Sequence, residues 1–426
     1  DTGIEWSSLL TENAQCYVGR SLIDKTLPLS YRSTQTGAYN WRTDTFYVQD
    51  SNRWYQANKE TVSYFLDPRN FLNEKNIFMF ESLSYNEKSH NISGIETILK
   101  NTFMSNEEIS KNSNEKVSYA TAFMDAAKVS GASPYHLAIR SIQEIGTNGS
   151  DSTSGTYGNY SGYYNFYNIN ASSGSDPVAN GLKYASGQTA SSSDKAKYDL
   201  PWDNQYKAIV GGAKWIADGY INNNQDTLYY QKFNVVNKVW THQYMTNVMA
   251  PQTESERTYR SYSDLGILDI AYVFIIPYYR NMPSSACKLP EANNYSPNNW
   301  LSSLSIDGYS LDFDGSETGG YVLKVESDVS SVNISAKTVS SKATVSGTGK
   351  VSLQPGSNTV KVVVTAQNGD KRTYTIEVIR NTNNIIPLES ISLNKTQISM
   401  FNGDTQKLSV SFNPSNTTDS KNNITQ

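Results

Sequence analysis

Past Asn299 the hydrophobic period of this chain changes from that of helices to that of strands, and this switch limits its folds more than any other feature. Val360, Val362 and Val364 alternate with Thr359, Lys361 and Val363; Tyr374, Ile376 and Val378 then repeat the pattern beyond Asn368-Gly369. Alternation across an Asn-Gly pair predicts a β-hairpin with a type I′ turn. Residues 300–381 are therefore expected to form an all-β sandwich of about seven short strands. Upstream, from Pro283 to Asn299, Pro, Ser and Asn dominate and read as a linker. Downstream of Asn381–Asn384 a second β pattern begins with Ile391, Leu393 and Ile398, and resumes with Leu408 and Val410 after Asn402-Gly403. Residues 387–426 are too few to close a sandwich alone and read as part of a third domain.

Before the linker the period is helical. A helix is expected from Val117 to Val129, with Ala120, Phe123, Met124 and Ala127 on one face and Gly131 as its stop. The next runs from Ser133 to Gly146: Ser133 caps, Pro134 suits the first turn, and Gly146 suits a left-handed end. Leu137, Ala138, Ser141, Ile142 and Ile145 make its buried stripe. Glu144 lies in the last turn, where the helix dipole and apolar neighbours disfavour a bare carboxylate, as a proton donor requires. Taken alone, an exposed surface acid explains Glu144 better.

From Thr147 to Asp199 the chain is rich in Gly, Ser, Asn and Tyr, and reads as a hairpin or loop lobe over a cleft. A third helix from Asn204 to Ile221 buries Ile209, Ala213, Ile216 and Tyr220. Its Gly211-Gly212 pair either admits a close helix or weakens the element. Residues 1–115 lack a clean period and read as irregular α+β wrapped around these helices. A last apolar pattern spans Leu265–Tyr279.

Composition narrows the function. The 426 residues carry a net charge of −4 with only 18% charged side chains, which argues against nucleic acid or anionic membrane as a partner. The longest apolar run, Ala271–Pro277, is too short to span a bilayer. Asp1 is not an initiator Met, so the start reads as processed or trimmed. Thirty Tyr and 7 Trp among many Asn, Ser and Thr suit a secreted protein that handles sugars. Cys16 and Cys287 are compatible with a disulfide or with two buried thiols. Three scattered His and no paired Cys predict neither metal nor cofactor.

Four motifs then occur together: Gln143-Glu144-Ile145-Gly146, Tyr163-Tyr164-Asn165-Phe166-Tyr167-Asn168-Ile169, Pro201-Trp202 with Ala208–Ala213, and His242-Gln243-Tyr244-Met245-Thr246-Asn247. In this order and spacing, with Phe71-Leu72 and Ile77-Phe78 upstream, residues 1–290 resemble the family 73 glycoside hydrolases, endo-β-N-acetylglucosaminidases of bacterial autolysins and phage lysins. Residues 300–381 resemble the cadherin-like β-sandwich of bacterial surface proteins, through Leu304-Ser305-Ile306, Tyr321, Gly356-Ser357-Asn358 and Asn368-Gly369, without an acidic calcium cluster. Residues 387–426 resemble the first half of a bacterial Ig-like repeat.

The resemblance implies a multidomain chain: a lysozyme-like α+β catalytic domain with a helical lobe, a small β lobe and a cleft, followed by Ig-like sandwiches. It implies a secreted, wall-associated monomer that cleaves peptidoglycan glycan strands, with Glu144 as general acid. Tyr163, Asn165, Phe166, Asn168, Trp202, Tyr244 and Asn247 fall on its sugar-binding positions. Core packing accounts equally well for Phe166 and a turn for Asn168. The family's tyrosine usually stands in Tyr-Ala-Thr-Asp-Pro, so Asn247 replaces an aspartate.

Glycoside cleavage needs a second group to stabilise the sugar carbon. Asp151, Asp176, Asp199 and Asp203 are candidates, with Asp176 and Asp203 foremost. A turn explains Asp176 and a helix cap Asp203. The substrate's own 2-acetamido carbonyl, oriented by Asn168 or Tyr244, is the alternative. His136, Arg140 and Glu144 share a helix face. Arg140 is expected to point away from Glu144, and His136 to pack or cap. The competing functions are a lytic transglycosylase on the same fold and a non-catalytic wall adhesin.

Overall fold

The computed structural model describes residues 1–11, 15–171, 175–239, 241–382 and 386–418; Asn383 and Asn384 of the expected break lie outside the described residues. Two compact units result: Asp1–Tyr39 with Phe46–Asn294, and Asn40–Thr45 with Tyr295–Gln426.

The first unit is mainly helical: α1 (Trp6–Thr11), α2 (Lys59–Leu66), α3 (Ile92–Leu99), α4 (Tyr119–Ser130), α5 (Pro134–Ile145), α6 (Pro177–Ala185), α7 (Ser192–Lys197), α8 (Gln205–Gly219), α9 (Leu228–Phe233) and α10 (Ala250–Asp264). The expected helix at Val117 starts two residues later because Glu115–Ser118 pairs antiparallel with Glu108–Asn112. Ser118 caps α4 and Gly131, at φ 81°, ends it. Asn204, not Asp203, caps α8 through a bond from the Lys207 N–H at 2.8 Å.

One core gathers α3, α4, α5 and α8 around Phe123, Leu137, Ala138, Phe166, Trp202 and Ile209. What a Cβ on Gly211 or Gly212 would meet is not a helix but a main-chain carbonyl and two aromatic rings. A Cβ on Gly211 would overlap the Tyr198 carbonyl and the Trp202 indole, and one on Gly212 the Tyr167 ring. A second core joins the two ends of the unit, packing Leu9, Val62 and Phe80 with Tyr229, Phe233 and Tyr279. The irregular start is thus fastened to residues 228–287 as well as to the central helices. Tyr229 and Tyr279 share a 2.7 Å hydroxyl contact there.

Of the hairpin or loop lobe expected over residues 147–199, the loop is what forms: the described residues there hold no strand. The chain instead takes 3-10 turns and α6 and α7. Positive φ at Gly149, Gly155, Gly158, Gly162, Asn168 and Asn170 breaks any extended run. Strands of this unit lie elsewhere, in a sheet of Leu22–Asp24, Trp54–Gln56 and Val48–Asp50 and in the 108–118 hairpin. Leu265–Tyr279 is largely non-helical, while the helix α10 before it has a polar sequence without a clear apolar stripe.

In the second unit seven strands form two sheets, as the period of two predicts. Gly349–Ser352, Ser331–Thr338 and Leu301–Ile306 make one; Thr344–Ser346, Gly356–Thr365, Lys371–Arg380 and Tyr321–Val325 make the other. Their inner faces bury Leu304, Ile334, Val362, Val364, Tyr374 and Ile376, each worth about 1.5–3 kcal/mol of apolar burial. The hairpin turn differs from the expected type I′. Asn368 has no positive φ; Gly369, at 94°, takes that role alone, and its N–H closes a turn on the Ala366 carbonyl at 3.0 Å. A type I turn followed by a left-handed Gly bulge suits a three-residue loop. Farther on, Ser390–Leu393 pairs antiparallel with Val410–Asn413, and both strands are mostly exposed.

Candidate active site

Helix α5 is held at its start by a buried relay. The Asn86 N–H donates to His90 Nδ1 at 3.0 Å, which leaves Nε2–H to donate to Ser133 Oγ at 3.2 Å. That oxygen in turn accepts from the His136 N–H. Burial holds the His90 imidazole down to about 4, so it is neutral at ordinary pH. Leu137, Ala138, Ile142 and Ile145 are buried as expected. The far end is turned out at Gly146, whose φ of 77° and ψ of 168° only glycine adopts readily.

Glu144 therefore projects from a helix end that is fixed on both sides. Its side chain is one-third exposed, and Arg140 lies 3.4 Å from Oε1. The expectation that Arg140 points elsewhere is wrong: one helical turn brings the guanidinium onto the acid's face, and no other carboxylate pairs with it among the described residues. Asn168, at φ 49°, donates its amide to the Glu144 carbonyl at 2.7 Å and stands 3.5 Å from Oε2.

Asn165 makes that placement possible. It is fully buried, donates to the Ile169 and Gly181 carbonyls and accepts from the Ile169 N–H, closing the turn that presents Asn168. Phe166 is fully buried against Phe103 and Tyr119, and Trp202 is fully buried with its indole N–H on the Tyr198 carbonyl. With no exposed surface, Asn165, Phe166 and Trp202 cannot touch a sugar as the resemblance implied; they lie inside the fold. Tyr163 is half-buried. Asp176 caps α6 through the Ala179 N–H and accepts from the Tyr157 hydroxyl. Asp203 pairs with Lys207 at 2.7 Å. Neither carboxylate contacts Glu144.

Tyr244 is half exposed, with its ring edge-on to Tyr220 at 6.0 Å between centroids. Asn247 is turned into its own chain and accepts from the Met249 N–H at 3.0 Å, a turn role that needs an acceptor and no charge. No direct contact joins Tyr244 to Glu144 among the described residues.

Three features had no clear signal in the sequence. A cavity of about 540 Å³ between α5 and α10 is lined by Phe78, Glu81, His136, Arg140, Gln143 and Tyr262, among others. Burial pushes Glu81 up to about 8, partly offset by the Tyr262 hydroxyl at 2.7 Å. Burial, then the charge of Arg140, holds His136 down to about 3, which suits the packing role expected of it. The third is Lys232, buried beneath the Tyr244 segment. Cys16 and Cys287 are both free thiols. Among the described residues no group of three or more His, Cys, Asp and Glu is placed to hold a metal ion. No described helix is long and apolar enough to cross a membrane.

Comparison with known proteins accords with the resemblance read from the motifs. Over 232 residues the chain is 31% identical to the β-N-acetylglucosaminidase of Bacillus subtilis (strain 168), a match that covers 53% of this chain and 23% of that protein. Over 105 residues it is 33% identical to the bifunctional autolysin of Staphylococcus aureus (strain Mu50 / ATCC 700699), covering 25% of this chain and 7% of that one. Residues 301–381 match the cadherin-like beta sandwich domain. The chain has relatives among bacterial N-acetylglucosaminidases and autolysins. It spans less than a quarter of the length of either relative. The crystal structure of a major bifunctional autolysin aligns with a TM-score of 0.43 at 23% identity, over 66% of this chain and 96% of that one.

Proposed function

We propose that residues 1–290 are the catalytic domain of a peptidoglycan hydrolase, an endo-β-N-acetylglucosaminidase that cuts the N-acetylglucosaminyl-β-1,4-N-acetylmuramic acid bond. Glu144 is its general acid. The observation that carries this reading is the one-third exposed carboxylate at the end of a doubly fixed helix, with Asn168 locked onto its carbonyl; the similarity to a β-N-acetylglucosaminidase supplies the substrate class.

In the reaction the Glu144 proton passes to the leaving O4 as the C1–O4 bond breaks. The carbonyl oxygen of the substrate's 2-acetamido group forms the new bond at C1, and water later opens that intermediate. Asp176 and Asp203 are engaged in a cap and a surface ion pair, which favours this substrate-assisted route over inversion through a second carboxylate. Arg140 stands where it stabilises the carboxylate left behind. Half-buried Tyr163 offers part of its ring for pyranose stacking, and Asn168 or the half-exposed Tyr244 orients the 2-acetamido group. The protein acts as a monomer, outside the cell and on the wall. Residues 300–381 and 387–426 serve as spacer or wall-contacting arms.

Digestion of purified walls followed by mass spectrometry of the products tests this. Reducing-end N-acetylglucosamine is expected, whereas 1,6-anhydromuramic ends would show a lytic transglycosylase. Glu144→Gln is expected to abolish the loss of wall turbidity. If it clears walls like the wild type, or if the wild type binds walls without cutting them, Glu144 is not the acid.

A further inference from the structure

We propose that Lys232 is the positioning residue for Tyr244, its buried ammonium fixing the segment His242–Val248 that carries the tyrosine; this rests on the reading of Tyr244 as a cleft residue. Lys232 lies in α9 and is 2% exposed. Its Nζ donates to the Arg20 carbonyl, to Gln243 Oε1 and to the Thr246 carbonyl, each at 2.9 Å. An ammonium has three donors, and all three are used. Two of the acceptors flank Tyr244 in the chain, one before it and one two residues after.

The other ties of the segment run to its backbone and to the His242 ring, which bonds Gln225 Oε1 at 2.6 Å and packs on Tyr220. The Tyr244 N–H donates to the Gln231 carbonyl, the Leu22 N–H to the Thr246 carbonyl, and the Val248 N–H to the Leu22 carbonyl. Gln225 and Asn234 donate to the His242 carbonyl. The tyrosine itself is half exposed, its ring edge-on to Tyr220. Its direction is therefore set by the backbone beneath it and only weakly by packing.

Among the described bonds, Lys232 is the one side chain that holds the segment on both sides of Tyr244, through the Gln243 side chain before it and the Thr246 carbonyl after it. A buried charge without a counter-ion is costly, and no carboxylate lies within ion-pair distance of Lys232 among the described residues. Burial pushes its ammonium down to about 7 while the three acceptors favour the charged form. An apolar side chain would fill the space at less cost but could not join Arg20, Gln243 and Thr246.

The test is a double-mutant cycle on purified peptidoglycan, with Lys232→Met, Tyr244→Ala and their combination. Lys232→Met is expected to lower kcat about tenfold to a hundredfold with KM little changed, as a misplaced group near the chemistry does. In the Tyr244→Ala background it should lower kcat no further. Gln243→Leu, which removes one acceptor without leaving a charge unpaired on all sides, should give a smaller loss that Tyr244→Ala likewise absorbs; it keeps the test open if Lys232→Met fails to fold. Losses that multiply, or wild-type kcat in Lys232→Met, overturn the proposal. Hydrogen exchange of residues 242–248 separates the two readings: unchanged protection in both variants refutes the clamp even if walls are cut. Faster exchange together with an inactive wild type would instead refute the proposed activity.

Discussion

The Asn168 side-chain amide donates to the main-chain carbonyl of Glu144 at 2.7 Å, tying the loop that follows α5 back onto the last turn of that helix. The carbonyl is one of the four that a helix end leaves without an internal partner. The same amide reaches to 3.5 Å from the carboxylate, so one side chain both caps the helix and places the acid.

Replacing Asn168 separates these roles. Asn168→Gly keeps the backbone at φ 49° but loses the bond, and should cost about 1 kcal/mol of stability. Asn168→Ala adds a left-handed penalty of about 1 kcal/mol more. Both are expected to lower kcat on walls by a similar factor, since the lost contact with Glu144 is common to them. Thermal melts and kinetics on the two variants check this, and wild-type kcat in either would count against Asn168 as an orienting group.

His90 makes stability fall in mild acid. Its pKa is about 4 in the folded chain against an ordinary 6.5, so the unfolded state binds the proton first as pH falls. The contribution is fully present above about 6.5 and is lost as pH drops through about 4; it amounts to about 3 kcal/mol. Urea unfolding between pH 7 and 4 should show a drop in the wild type that His90→Gln lacks. Equal slopes would mean that the imidazole remains protonated in its pocket.

Glu81 acts in the opposite sense. Its folded pKa of about 8 lies above an ordinary 4.5, so the folded state holds the proton longer. Stability from this group is full below about 4.5 and is lost as pH rises through about 8. Glu81→Gln preserves an acceptor for the Tyr262 hydroxyl and cannot ionise. It should be more stable than the wild type at pH 8 and about equal at pH 4, read as a difference in melting temperature that grows with pH.

The two thiols should stay separate. Burial raises Cys16 to about 11 and also raises Cys287, so little thiolate forms near neutral pH. An aromatic disulfide reagent at pH 8 is expected to titrate both only after denaturation. Addition of a reductant should leave the melting temperature unchanged; a clear drop would show a bond between them.

The sequence by itself determined what local chemistry can specify. Alternation marked the seven-stranded sandwich, and caps with apolar stripes marked α4, α5 and α8 to within two residues, because each signal comes from neighbours in the chain. The four motifs pointed to Glu144 for the same reason. Local rules could not tell that Asn165, Phe166 and Trp202 are sealed inside. A residue that forms a binding wall and one that stands behind it have the same type and spacing, and only packing separates them. Nor could they find α10, whose sequence is mostly polar, or choose between a hairpin and a loop over residues 147–199. Tertiary structure alone tied Asn168 to the Glu144 carbonyl and set Lys232 under Tyr244. Those relations depend on which side chains share one buried or crowded space, and that is decided when separate elements pack.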